Sequence, residues 1–173
     1  TPSPPVIDDL DAIPTPAFEH YPYIKEASFI PLELGRGCPY ACAFCSTNDF
    51  FRRKFRLKTP KRVVSEMETL HEKYGIQHFD LIHDMFTVDR KKVVEFCEAL
   101  IDTKTDFYWN CSARTDRMDT ELLELMQRAG CRAIFYGIET GSQELQNKIA
   151  KHLPLADAMA VVRATSEPKI DRA

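Results

Sequence analysis

No apolar run in this chain reaches the ~18 residues that a membrane-spanning helix requires, so nothing in the sequence supports a transmembrane role. Neither sign of charge dominates: 23 Lys and Arg stand against 26 Asp and Glu, a net charge of −3 at pH 7. That balance excludes a generally basic nucleic-acid surface, and nucleic acid is not an expected partner. The start, Thr1-Pro2-Ser3-Pro4-Pro5, has neither the basic flank nor the apolar stretch of a secretory signal. It also has no initiator Met, and we expect the chain to begin inside a longer protein. There is no export context for disulfides, and 173 residues with 44% hydrophobic content can build a core without them. We therefore read the six cysteines as reduced and the compartment as cytoplasmic.

What is present falls into two parts. Residues 1–27 read as a linker, because Pro at 2, 4, 5, 14, 16 and 22 holds the backbone extended and forbids a continuous helix. Residues 28–173 alternate between strand and helix patterns. Strands are expected at 28–34, 77–82, 107–111 and 133–138. Helices are expected after the N-cap residues Thr59, Asp89, Asp119 and Ser142, with Pro154 opening a last one. Thr59-Pro60 is a strong start signal, and Gly75 is the matching stop. Four strand–helix units imply an α/β fold with a parallel sheet, either doubly wound or part of a (β/α) barrel. In both, ligands bind at the carboxyl ends of the strands. Arg163–Ala173 shows no fifth strand pattern, so the fourth strand is expected to present an unpaired edge.

The first strand runs into Gly35-Arg36-Gly37-Cys38-Pro39-Tyr40-Ala41-Cys42-Ala43-Phe44-Cys45. Three thiols at C-x3-C-x2-C spacing in a loop suit a soft metal: an iron–sulfur cluster or zinc. A cubane cluster normally takes four cysteines, so three leave one iron open for chemistry. Structural zinc wants a closed fourth position, and no second ligand pair stands elsewhere in the chain. Ordinary buried thiols fit poorly with the surrounding glycines and proline.

The segment Leu34–Ser46 resembles the signature of the radical SAM superfamily, and most closely the branch whose members carry an N-terminal cobalamin-binding domain. Asp9–Pro16 resembles that branch's connector. Cys111-Ser112-Ala113-Arg114 and Tyr136–Ser142 resemble its third- and fourth-strand motifs. His83-Asp84-Met85-Phe86-Thr87 resembles its second-strand motif but departs from it at His83 and Met85. The resemblance covers about residues 8–165 and implies a partial (β/α) barrel with about four of six units present. It implies that Cys38, Cys42 and Cys45 hold a [4Fe-4S] cluster, whose open iron chelates S-adenosylmethionine (SAM) and delivers the electron that yields a 5′-deoxyadenosyl radical. It places Phe44 near the adenine, and suggests Asp84 for the SAM ammonium or the nearby loop, Arg114 with Ser112 for the carboxylate end, and Glu139 for the ribose. It further implies an external one-electron donor of ferredoxin or flavodoxin type, a small-molecule substrate, and cobalamin on a domain outside this chain. The parent is expected to be a cobalamin-dependent enzyme such as a methyltransferase. A cobalamin-independent radical SAM enzyme and a non-catalytic iron–sulfur or zinc module stay open. The isolated fragment is expected to be inactive.

Cys97, Cys111, Cys131 and Trp109 are expected in the core. The basic run Arg52–Lys58 is expected to be a solvated loop, or else a surface for an anionic partner.

Overall fold

The computed structural model describes residues 5–165 and 171–172. Its elements in chain order are β1 (Ile30–Glu33), β2 (Gly35–Arg36), α1 (Thr47–Phe50), β3 (Arg56–Leu57), α2 (Pro60–Tyr74), β4 (His78–Ile82) and α3 (Arg90–Asp102). They continue with β5 (Tyr108–Ala113), α4 (Thr120–Arg128), β6 (Cys131–Tyr136), α5 (Gln143–Lys148), α6 (Leu155–Ala164) and β7 (Asp171–Arg172).

Local chemistry sets the helix starts. Thr59, Asp89, Asp119 and Ser142 each accept from the backbone N–H three residues on, at 3.2, 3.2, 2.9 and 3.3 Å. Each bond satisfies one of the donors a helix start leaves open, worth about 1 kcal/mol. Gly75 ends α2 in the left-handed conformation at φ 73°.

The main sheet is parallel, in the order β1-β4-β5-β6-β7. Along β5, Trp109, Cys111 and Ala113 are buried while Asn110 is exposed. The buried set packs on a single row of helices in which α2 meets α3, α3 meets α4 and α4 meets α6. Phe86, Phe96 and Trp109 meet edge to face with centroids 5.5–6.1 Å apart, and the Trp109 indole donates to the Ala129 carbonyl at 2.8 Å. Burying each such aromatic or aliphatic side chain contributes about 1.5–3 kcal/mol. The other face of the sheet carries exposed Ile82 and Phe135. Helices on one face and none on the other, among the described residues, make this a partial (β/α) barrel and not a doubly wound sheet.

Three expectations need correction. A fifth strand exists: Asp171 and Arg172 pair in parallel with Ala133 and Ile134, so β6 is not a bare edge. Two residues without apolar alternation carry no pattern a sequence could show. The fourth strand of the repeating unit starts at Cys131, two residues early, and ends at Tyr136. Its register with β5 shifts between Trp109 and Asn110, and the chain turns away towards Glu139, whose φ is 66°. The basic run is only partly solvated. Arg56 and Leu57 form β3 against β2, and Lys58 is buried in an ion pair with Glu66 at 2.8 Å.

Among its described residues, the Pro-rich segment has one 3-10 helix at Phe18–His20 and further turns in which Ile13 donates to Leu10 and Ile24 to Tyr21. It packs on the domain through the buried side chains of Leu10 and Ile24. Asp11 bonds the Thr59 N–H and hydroxyl at 2.8 and 2.6 Å. No helix among the described residues is long and apolar enough to cross a membrane.

Candidate cofactor site

The three clustered cysteines sit in the loop between β2 and β3. That two-stranded ribbon pairs Gly35 with Leu57 and Arg36 with Arg56, so it closes both ends of the loop. Leu34 N–H donates to the Ile82 carbonyl at 3.1 Å, which fastens the ribbon to the carboxyl end of β4. Inside the loop, the Cys42 carbonyl accepts from Cys45 N–H at 3.1 Å and from the Asn48 amide at 3.0 Å. The short helix α1 begins two residues after Cys45.

Residues from three further elements hold the loop. Asp84, just past β4, accepts from Gly37 N–H at 3.2 Å and from the Thr47 hydroxyl at 3.1 Å. Arg114, just past β5, lies over the Tyr40 ring at 4.0 Å, while Arg117 donates to the Tyr40 hydroxyl at 2.6 Å. The Ile149 carbonyl at the end of α5 accepts from Ala43 N–H at 2.8 Å. Behind Asp84, buried His83 accepts the Met85 N–H on Nδ1 at 2.8 Å, and its ring packs edge-on against Phe55. Burial pulls the His83 pKa down to about 4, against the opposing pull of Asp84.

A cleft of about 180 Å³ opens where these elements meet. Cys38, Cys42, Cys45, Phe44, Asp84, Ser112, Arg114 and Glu139 all line it, so every site residue expected from the sequence is brought to one place. Asp84 holds the loop, and Arg114 and Glu139 take partners within the chain. The Arg114 fork is occupied by Asp116, at 2.9 and 2.8 Å, and by the Lys151 carbonyl at 3.1 Å. Burial alone would raise the Asp116 pKa, but Arg114 outweighs it and holds the carboxyl below its usual value. Glu139 pairs with Lys151, Nζ to Oε1 at 3.0 Å. The Lys151 ammonium also stands 5.9 Å from the Phe44 ring centroid. Gly137 makes room for this pair: a Cβ there would lie 2.8 Å from the Glu139 carboxylate and 3.0 Å from Lys151 Nζ.

The donor set fits an iron–sulfur cluster. Burial raises the Cys38 pKa, and the nearby Cys42, Cys45 and Asp84 raise it further. Several potential anions are thus crowded at the loop, where a cationic metal would relieve them. Among the described residues, no three His, Cys, Asp or Glu side chains converge on one metal ion. Three thiolates are soft ligands of the kind that iron–sulfur clusters select. All six cysteines are unbridged, and Cys97, Cys111 and Cys131 are buried in the core, as is Trp109.

Lys151, Tyr40 and Thr47 were missed from the sequence. Tyr40 and Thr47 lie close to the clustered cysteines in sequence, so proximity was a usable signal. Lys151 lies in a charged stretch beyond α5 that has no strand-end position. Only the left-handed turns at Ala150 and His152 bring it into the cleft.

The family model described as the radical SAM superfamily matches residues 32–172. The chain is 38% identical over 151 residues to an anaerobic magnesium-protoporphyrin IX monomethyl ester cyclase of Rubrivivax gelatinosus, covering 83% of this chain and 27% of that protein. It is 28% identical over 167 residues to an uncharacterized methyltransferase of Pyrococcus horikoshii, covering 94% and 36% respectively. The chain thus spans about a third or less of these relatives' lengths. Among solved structures, it superposes on the radical SAM methyltransferase TsrM from Kitasatospora setae, with cobalamin and a [4Fe-4S] cluster bound, at a TM-score of 0.74. That match has 20% identity and covers 87% of this chain and 31% of that one. The cobalamin-dependent SAM radical enzyme OxsB matches at a TM-score of 0.72 and 20% identity, covering 82% and 23%. With the cysteine loop on the first strand, polar residues gathered at the strand ends and a family model matching most of its length, the chain belongs to the radical SAM superfamily of enzymes.

Proposed function

We propose that the protein holds a [4Fe-4S] cluster on Cys38, Cys42 and Cys45, binds SAM in the adjoining cleft, and serves a cobalamin-dependent parent enzyme that transfers a methyl group. The observation that carries this reading is the meeting of the three thiols with Phe44, Asp84, Ser112, Glu139 and Lys151 in one cleft. When bound and reduced, the cluster supplies one electron to SAM, whose sulfonium carbon–sulfur bond breaks.

The chain's own residues bind and orient. Asp84 fixes the loop through Gly37 and Thr47 and keeps further acceptor capacity for the SAM ammonium. Arg114 gives Nε and Nη2 to Asp116 and the Lys151 backbone and lies over the Tyr40 ring, so it acts as a clamp on Tyr40. Lys151 spends one of its three donors on Glu139, and we assign it the SAM carboxylate, with Ser112 beside it. Glu139, held by one oxygen, has the other for ribose hydroxyls. The exposed Phe44 ring offers a face to the adenine.

Methyl transfer is favoured by the methyltransferases among the related sequences and structures. Ring formation is a second reading, favoured by the 38% identity to the Rubrivivax cyclase. Anaerobic reconstitution with iron and sulfide tests the common core. A reducible cluster whose paramagnetic signal changes on adding SAM is expected. A protein that takes up zinc and no iron, or a signal indifferent to SAM, refutes it. Retention of cobalamin by the full-length parent tests the finer assignment.

A further inference from the structure

Immediately beyond the cysteine ligands the chain forms a projecting, cationic and aromatic surface that the cofactor site does not use. Phe50 is 78% exposed at the end of α1. Arg52, Arg53 and Lys54 follow, all exposed. Arg52 and Arg53 make no ion pair among the described residues, and Lys54 makes a loose one with Asp8 at 3.4 Å. Arg52 and Arg53 both adopt the left-handed backbone, at φ 52° and 55°. L residues rarely hold that conformation, and here two in succession turn the loop back on itself. The loop is locked to the ligand loop: the Lys54 carbonyl packs against Gly37, where a Cβ would stand 2.1 Å from it. Thr47 lines both the cofactor cleft and the hollow beneath Phe50 and Phe51. The helix α1 from Thr47 to Phe50 rises only about 5 Å along its axis.

We propose that Phe50–Lys54 is the docking surface for an acidic one-electron carrier protein that reduces the cluster. The inference rests on the function proposed above. On a chain whose charge is close to balance, the exposed Arg52, Arg53 and Lys54 draw an acidic carrier to this patch, which sits beside the site that needs the electron. Phe50 supplies the apolar centre that such a transient interface needs, with the cations as its rim. In the transfer, the carrier is oxidised by one electron and the cluster is reduced by one.

The experiment follows anaerobic cluster reduction by stopped flow in the cluster-loaded protein, using a reduced acidic flavodoxin as carrier and reduced methyl viologen as a small cationic control. Charge reversal by Arg52→Glu with Arg53→Glu is expected to slow carrier-driven reduction about tenfold at low salt. The difference should fade at high salt as screening shortens. Viologen-driven reduction should not slow. The pair Arg52→Asn and Arg53→Asn removes charge with a residue that tolerates the left-handed backbone, and should give a smaller loss in the same direction. Equal carrier rates in the unmodified protein and both variants overturn the proposal, as do equal losses with viologen. If the unmodified protein forms no reducible cluster, the functional reading fails and the docking surface falls with it.

Discussion

Gly37 is where backbone conformation, packing and cluster assembly meet, and Gly37→Ala puts a number on that junction. The residue adopts φ 82°, and an added Cβ would lie 2.1 Å from the Lys54 carbonyl oxygen and 3.1 Å from Phe51 Cβ. The left-handed backbone alone costs an L residue about 1–2 kcal/mol. Forcing an atom into the filled space behind it adds about 1–3 kcal/mol. Gly75→Ala is the internal control, because its φ is 73° but nothing lies within 4 Å of the new atom. It should show the first cost without the second, and both variants gain equally from a stiffer unfolded chain. Chemical denaturation should therefore find Gly37→Ala less stable than Gly75→Ala by about 1–3 kcal/mol. Iron bound per chain after reconstitution should fall for Gly37→Ala and hold for Gly75→Ala, since only Gly37 adjoins a ligand. Equal stability and equal iron in the two variants would refute the reasoning.

The His83 ring is buried and neutral, with a pKa near 4 against 6.5 for the free side chain. The unfolded chain therefore binds the extra proton between those values, and stability should fall as pH drops from about 6.5 to about 4. The full loss is about 3 kcal/mol, and His83→Gln should remove most of it in denaturation curves measured across that range. Glu66→Ala strands the Lys58 ammonium, whose side chain is 3% exposed, and should destabilise by about 3–5 kcal/mol. Lys58→Ala should cost less, because Arg62 and Thr15 still serve Glu66 at 2.9 and 3.1 Å. Lys151→Met should weaken SAM binding to the cluster-loaded protein about tenfold, as one charge-assisted bond is worth about 1.5–3 kcal/mol, and should leave iron content unchanged. Isothermal titration reads the first effect and iron analysis the second.

The sequence showed most plainly what is decided locally. Four N-caps were readable because a cap needs only a side chain and a backbone N–H three residues away. The main strands were readable because one face of each is buried, so apolar residues recur at period two. The site residues could be placed because parallel strands deliver their carboxyl ends to one side. What escaped depends on partners distant in the chain. The β2–β3 ribbon has two residues on each side and no periodicity. Lys58 looks solvated until Glu66 is brought beneath it across the first turns of α2. Lys151 lies twelve residues beyond Glu139, and only the turn after α5 returns it to the cleft.

The stretch from Cys38 to Cys45 has little of its own to hold it: the turn bond from Cys45 to Cys42 and the Asn48 amide on the same carbonyl. Each stretch that carries a thiol is instead held by a different part of the barrel. Gly37, next to Cys38, is bonded by Asp84 beyond β4. Tyr40, between Cys38 and Cys42, is clamped by Arg114 beyond β5. Ala43, next to Cys42, is bonded by the carbonyl of Ile149 beyond β6. Three successive strands thus each contribute one anchor, and the Arg114 clamp is fixed in turn by Asp116 and by the backbone of Lys151. Such support lets the loop be ordered before any metal arrives, so that metal binding is not required to meet the whole entropic cost of ordering it. It also gives the Arg114–Asp116 ion pair a structural task, because the guanidinium that Asp116 fixes is the one that lies over Tyr40.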